Sequence, residues 1–134
     1  MNDHEFLTAF EKCSIPVSDF HHADHVRLAW IYLRRYSLLQ AIERFTTSLQ
    51  RFAHHNGAAA LYHETVTWAY FFLIHERMQR SRPDLNWEGF RSLNSDLFVQ
   101  KPSIIERYYS RETISSDLAR RTFVLPDCDG VEAG

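Results

Sequence analysis

Long apolar runs, glycine, proline and cysteine are all scarce in this 134-residue chain, and each shortage closes off a class of protein. No stretch approaches the roughly 20 apolar residues that a membrane-spanning helix requires. The most apolar window, Val66 to Ile74, is bounded by His63-Glu64 and His75-Glu76 and reads as a core helix. The N-terminus, Met1-Asn2-Asp3-His4-Glu5, is polar and acidic where a secretory signal needs a basic and then an apolar run. Only two cysteines occur, Cys13 and Cys128, far apart and with neither disulfide-framework nor zinc-finger spacing, so a reduced cytoplasmic protein is expected. The four glycines are isolated, which leaves no phosphate-cradling loop, and no serine sits in a nucleophile elbow; nucleotide hydrolysis and hydride transfer are disfavoured. With 15 Lys and Arg against 17 Asp and Glu, the net charge of −2 gives no electrostatic reason to expect nucleic acid or an anionic membrane as partner.

What the chain does have is apolar and aromatic surface to bury: hydrophobic residues are 45% and aromatics 14%, too rich for disorder. The length suits one domain. We expect an all-α fold, a single-domain four-helix-type bundle with short C-terminal capping helices over residues 1–126, followed by a flexible tail over 127–134 with Cys128 exposed in it. The first helix covers Asp3 to Cys13, with Phe6, Leu7 and Phe10 at helical spacing, and Ser14-Ile15-Pro16 stops it. A second runs from a cap at Ser18 or Asp19 to about Tyr36, with Val26, Ala29, Leu33 and Tyr36 on one stripe. Ser37-Leu38-Leu39-Gln40 matches a capping box opening a third helix, which Asn56-Gly57 ends. A fourth, from about Ala59 to Arg80, is apolar nearly all round and is expected at the centre of the bundle. Asn86 caps a short helix through Phe90, Pro102 opens another through Tyr108, and Ser115 or Ser116 caps a last one from Asp117 to about Thr122.

The chemistry-bearing residues are histidines. His22 and His25 are three apart near the start of the second helix, and a helix presents residues at that spacing to one ion. His21 with His25 offers the alternative four-residue spacing; His22 is preferred because it extends the Val26, Ala29, Leu33 stripe. His63 lies on the face that continues through Val66 and Tyr70. If the second, third and fourth helices alternate in direction, the second and fourth start at the same level, and His22, His25 and His63 would converge there. Three neutral imidazoles suit one divalent transition metal, iron, copper or zinc, with positions left open for water or substrate. Such a site carries uncompensated positive charge, so a small, anionic substrate is the expected ligand class. Glu64 is a candidate general base or metal neighbour, with charge complementation of the helix start as its competing role, and Tyr109 a candidate proton carrier. His54 and His55 fall where the dipole of the third helix favours imidazolium, and His75 is about three turns from His63; none of these is expected to bind the ion. A metal-dependent small-molecule enzyme is thus expected, performing oxidation with iron or copper and hydrolysis or hydration with zinc. The competing expectation is a non-catalytic helical interaction module anchored by Trp30, Trp87, Tyr108 and Tyr109. A homodimer through a leftover apolar helix face is allowed by either.

Three stretches, taken in order, carry a resemblance. They are His22-Ala23-Asp24-His25-Val26-Arg27-Leu28-Ala29-Trp30 with Tyr32-Leu33-Arg34-Arg35, then Tyr62-His63-Glu64-Thr65, then Tyr108-Tyr109-Ser110 through Ala119-Arg120 to Phe123-Val124-Leu125-Pro126-Asp127. With these the chain resembles a family of small, uncharacterised bacterial proteins, which implies that His22, His25 and His63-Glu64 belong to one site and brings no activity with it. A weaker likeness is to DinB-like four-helix metal proteins. Their histidine spacing is not reproduced, so it bears on architecture alone.

Overall fold

A computed structural model describes residues 1–128. The protein is all-α, and no strand occurs among the described residues. Its contacts form two compact units, Met1–Tyr62 and His63–Gly134.

The first unit holds α1 (Asp3–Glu11), α2 (His22–Arg35) and α3 (Leu38–His55). Asn2 caps α1 by accepting the Glu5 N–H, and Cys13, at φ 56°, takes the left-handed conformation that turns the chain away two residues past its end. The helix therefore stops at Glu11, short of the Cys13 expected from the apolar spacing. Val17–Asp19 forms a separate 3₁₀ turn, so α2 does not begin at Ser18 or Asp19. It begins at His22, where the carboxylate of Asp24 accepts the His21 N–H at 2.9 Å and closes the first turn. Ser37 caps α3 through the Gln40 N–H, and Gly57, at φ 68°, follows its last turn. Phe10 is fully enclosed by aromatic neighbours, with ring centroids 5.6 Å from Phe20, 6.2 Å from Phe45 and 5.6 Å from Phe52. Tyr32, also fully buried, donates its hydroxyl to Glu11 Oε1 at 2.9 Å and lies 3.4 Å from Ser48 Oγ, which ties the three helices together. Burial pushes the Tyr32 hydroxyl above the ordinary phenol range.

The second unit is built on α4 (Glu64–Arg80), followed by α5 (Trp87–Leu93), α6 (Arg111–Ile114), α7 (Asp117–Arg121) and 3₁₀ turns at Ser95–Phe98 and Ile104–Arg107. Asn86 and Ser116 cap α5 and α7 as their spacing predicts. Residues Ala59–Leu61 form a 3₁₀ turn and Tyr62 and His63 are extended, so α4 starts five residues later than the apolar pattern suggests. Nor is α4 sheathed on every side: only Thr65, Phe71 and Ile74 are buried, and Phe72 remains 37% exposed. The enclosed helix is α2, whose consecutive residues Leu28 to Tyr32 are all buried. Five successive residues cover every direction around a helix axis. A bidentate Arg77–Asp96 pair at 2.8 Å, with Asn94 accepting from Arg77 at 3.0 Å, ties α4 to the segment after α5. Asp127 and Cys128 are also held in place, as described below. The remainder of the expected flexible tail, residues 129–134, lies outside the described residues.

Candidate metal centre

The short closure between His21 and Asp24 decides where the first two histidines sit. Because Asp24 holds the His21 backbone, His21 is left as the exposed residue that caps α2, and His22 becomes its first helical residue. His22 and His25 are therefore one turn apart at the helix start, both half-buried. His25 is seated on Phe20, with ring centroids 4.4 Å apart, and Phe20 in turn packs 4.7 Å from Phe52 and 5.6 Å from Phe10. Sequence reasoning did not single out Phe20; its signal was an aromatic residue immediately before a histidine cluster. Burial, helped by charge on nearby His22 and opposed by Asp24, lowers the His25 pKa from 6.5 to about 4. At neutral pH its imidazole is uncharged, the form that ligates metals.

In the second unit, His63 is the residue capping α4. Its Nδ1 accepts the Val66 N–H at 3.1 Å, which places the ring proton on Nε2, and Nε2–H donates to the Ile114 carbonyl at 2.7 Å. Both ring nitrogens are thereby engaged. Glu64 is the first residue of α4, half-buried, where its charge complements the helix dipole. Tyr109 is 1% exposed and donates its hydroxyl to the Val124 carbonyl at 2.7 Å; burial first, and Asp127 second, raise its pKa. His54 and His55 are exposed in the last turn of α3, and His75 is half-buried on α4. Among the described residues, no group of three or more His, Cys, Asp or Glu side chains is placed to hold a metal ion.

The motifs of the second unit form one hydrogen-bonded clasp. Thr65, fully buried, donates to the Thr122 carbonyl at 2.8 Å and accepts the Val124 N–H at 3.1 Å. Asp127 accepts the Ser110 N–H at 2.8 Å, the Ser110 hydroxyl at 2.6 Å and the Thr113 hydroxyl at 2.8 Å, and the Cys128 N–H donates to the Tyr108 carbonyl at 2.9 Å. These donors, the Ser110 hydroxyl foremost, hold the Asp127 pKa down at about 2. Thus the His63-Glu64-Thr65 stretch and the Tyr108-to-Asp127 stretch meet, joined by backbone-directed bonds.

No protein-family model matches this chain, no curated protein sequence matches it, and no solved structure matches it. The resemblance to a small bacterial family therefore rests on the motifs alone.

Proposed function

We propose that the start of α2 is a metal-binding site in which His22 and His25 hold one divalent transition ion, zinc, iron or copper. The observation that carries this reading is geometric: two imidazoles one turn apart at a helix start, one of them seated on the Phe20 ring. Such an ion would bring Lewis acidity and open positions, and an anionic small molecule is the ligand class its charge favours. Oxidation with iron or copper, or hydrolysis or hydration with zinc, is the corresponding reaction class. His63 would act as a third ligand only by releasing the Ile114 carbonyl or the Val66 N–H, and Glu64 as base belongs to that state.

The test is elemental analysis of untagged protein and its alanine variants. About one equivalent of metal is expected in the wild type, a simple mononuclear stoichiometry. It should be lost in His22→Ala and in His25→Ala and retained in His54→Ala and His75→Ala. Because both nitrogens of His63 are already bonded, His63→Ala is expected to keep the metal; its loss there would make His63 a ligand. Absence of metal from the wild type after reconstitution with each ion would end the proposal.

A second reading, a non-catalytic helical interaction module, is favoured by the structural bonds that occupy His63 and Tyr109. Wild-type protein that folds normally and holds no metal even after reconstitution would select it.

A further inference from the structure

The chain leaves α7 at Arg121, turns extended at Thr122, and crosses the second unit outside any helix or strand to bends at Asp127 and Cys128. Nearly everything that holds this strap comes from side chains elsewhere in the unit. Thr65 bonds the Thr122 carbonyl and the Val124 N–H, Tyr109 bonds the Val124 carbonyl, and Ser110 and Thr113 bond the Asp127 carboxylate. Phe123 stacks on Trp68 at 5.7 Å and meets the edge of Phe72 at 6.0 Å. The outer side of the strap is open, with Leu125 78% exposed and Pro126, Asp127 and Cys128 exposed beside it. This is how an extended peptide sits in a recognition groove: main-chain groups satisfied by the receptor, one aromatic residue packed in, one carboxylate fixed by hydroxyls and an N–H.

The fit is incomplete at one atom. The indole N–H of Trp68, on the ring that Phe123 covers, is buried and has no hydrogen-bond partner among the described residues. A buried donor left unpaired is a standing cost, and a segment that brings an acceptor to it gains a bond that the strap does not make.

We propose that residues 122–128 are a displaceable internal ligand, occupying a groove that a partner polypeptide enters with an extended aromatic-x-x-Pro-Asp segment of its own. The strap is tethered to its groove, so it competes at a high effective concentration, and wild-type protein binds such a segment weakly until the strap is loosened. The groove uses no residue of α2, so failure of the metal pair leaves this inference untouched, and the reverse also holds.

The test is fluorescence anisotropy with a labelled synthetic peptide of residues 121–128, titrated under reducing conditions with full-length protein. Asp127→Ala in the protein frees the strap and leaves Ser110 and Thr113 in place; Phe123→Ala serves as a second loosened variant if the first loses helical content. Both should bind the peptide at least about tenfold more tightly than the wild type, the expected size for removing a tethered competitor. The same peptide carrying alanine at position 123 or 127 should bind about tenfold more weakly to the loosened proteins, a loss equivalent to about 1.4 kcal/mol. Equal affinity for all three proteins, no binding by either variant, or full binding of the peptide lacking the aromatic residue overturns the proposal. Concentration-dependent dimers of the variants that the peptide dissolves would assign the groove to a second copy of this chain, and overturn it as a partner site.

Discussion

His25 and His63 show how differently one residue type is used. His25 rests on Phe20 with its pKa lowered to about 4, whereas His63 spends both nitrogens on backbone partners. For His25 the linkage has a definite sign. The unfolded chain takes up a proton as pH falls through about 6.5, and the folded protein does so only near 4. Stability is therefore complete above about 6.5 and is lost between there and 4. The full shift corresponds to roughly 3 kcal/mol, and about 2 kcal/mol remains after allowing for the partial exposure of the ring. Urea unfolding of chelator-treated protein at pH 7.5 and 4.5 should show a larger pH difference for the wild type than for His25→Asn, by about that amount. An equal difference would mean that the ring titrates normally. The helical stripe favours His22 over His21 as the ligand; what the structure adds is that Asp24 holds the His21 backbone and sets the first helical residue at 22.

At the scale of elements, helix starts divide into those that sequence shows and those it hides. Ser37, Asn86 and Ser116 are short polar side chains that reach their own helix without help, and all three cap where expected. His63 caps α4 because the Ile114 carbonyl fixes the proton on Nε2 and leaves Nδ1 free to accept, and that carbonyl is 51 residues away along the chain. No local pattern carries such information. The next residue but one, Thr65, bears the strap. Thr65→Val should cost about 1–3 kcal/mol, because the shape is kept while two part-buried hydrogen bonds to the backbone are lost, and Thr65→Ser should cost much less. Chemical denaturation checks both, and equal loss in the two variants would make methyl packing the cause. Asp127 adds a pH signature to the same strap. Its folded pKa of about 2 lies below the ordinary carboxylate value of 3.8, so its contribution is present above about pH 4 and lost as pH falls toward 2. Asp127→Asn should thus lower the melting temperature at pH 6 and have no effect near pH 2; an offset that persists at pH 2 would show that the charge is not responsible.

For the whole molecule, helix-forming residues, few breakers and well-placed stops were enough to specify an all-α protein, because capping and helical periodicity are local in the chain. Burial is not local. The fourth helix is the more apolar in sequence, yet α4 keeps Phe72 37% exposed while α2, with polar ends, is enclosed from Leu28 to Tyr32. This ranking has a measurable consequence: Phe10→Ala should cost about 3–5 kcal/mol and Phe72→Ala under about 1.5 kcal/mol, since only the first empties a closed site. Comparable losses, read by urea unfolding, would contradict the burial described. The amino-acid sequence by itself determined the all-α class, the caps at Ser37, Asn86 and Ser116, and the spacing of the candidate pair His22 and His25, which is a property of one helical turn. Only the tertiary structure decided that Phe20 seats His25, that Ile114 and Val66 engage His63, and that the C-terminal strap closes on Thr65 and Trp68. Ile114 lies 51 residues from His63 and Thr122 lies 57 from Thr65, and Phe20, though close to His25 in the chain, is packed by the remote Phe10 and Phe52, so these neighbours meet only when the chain folds.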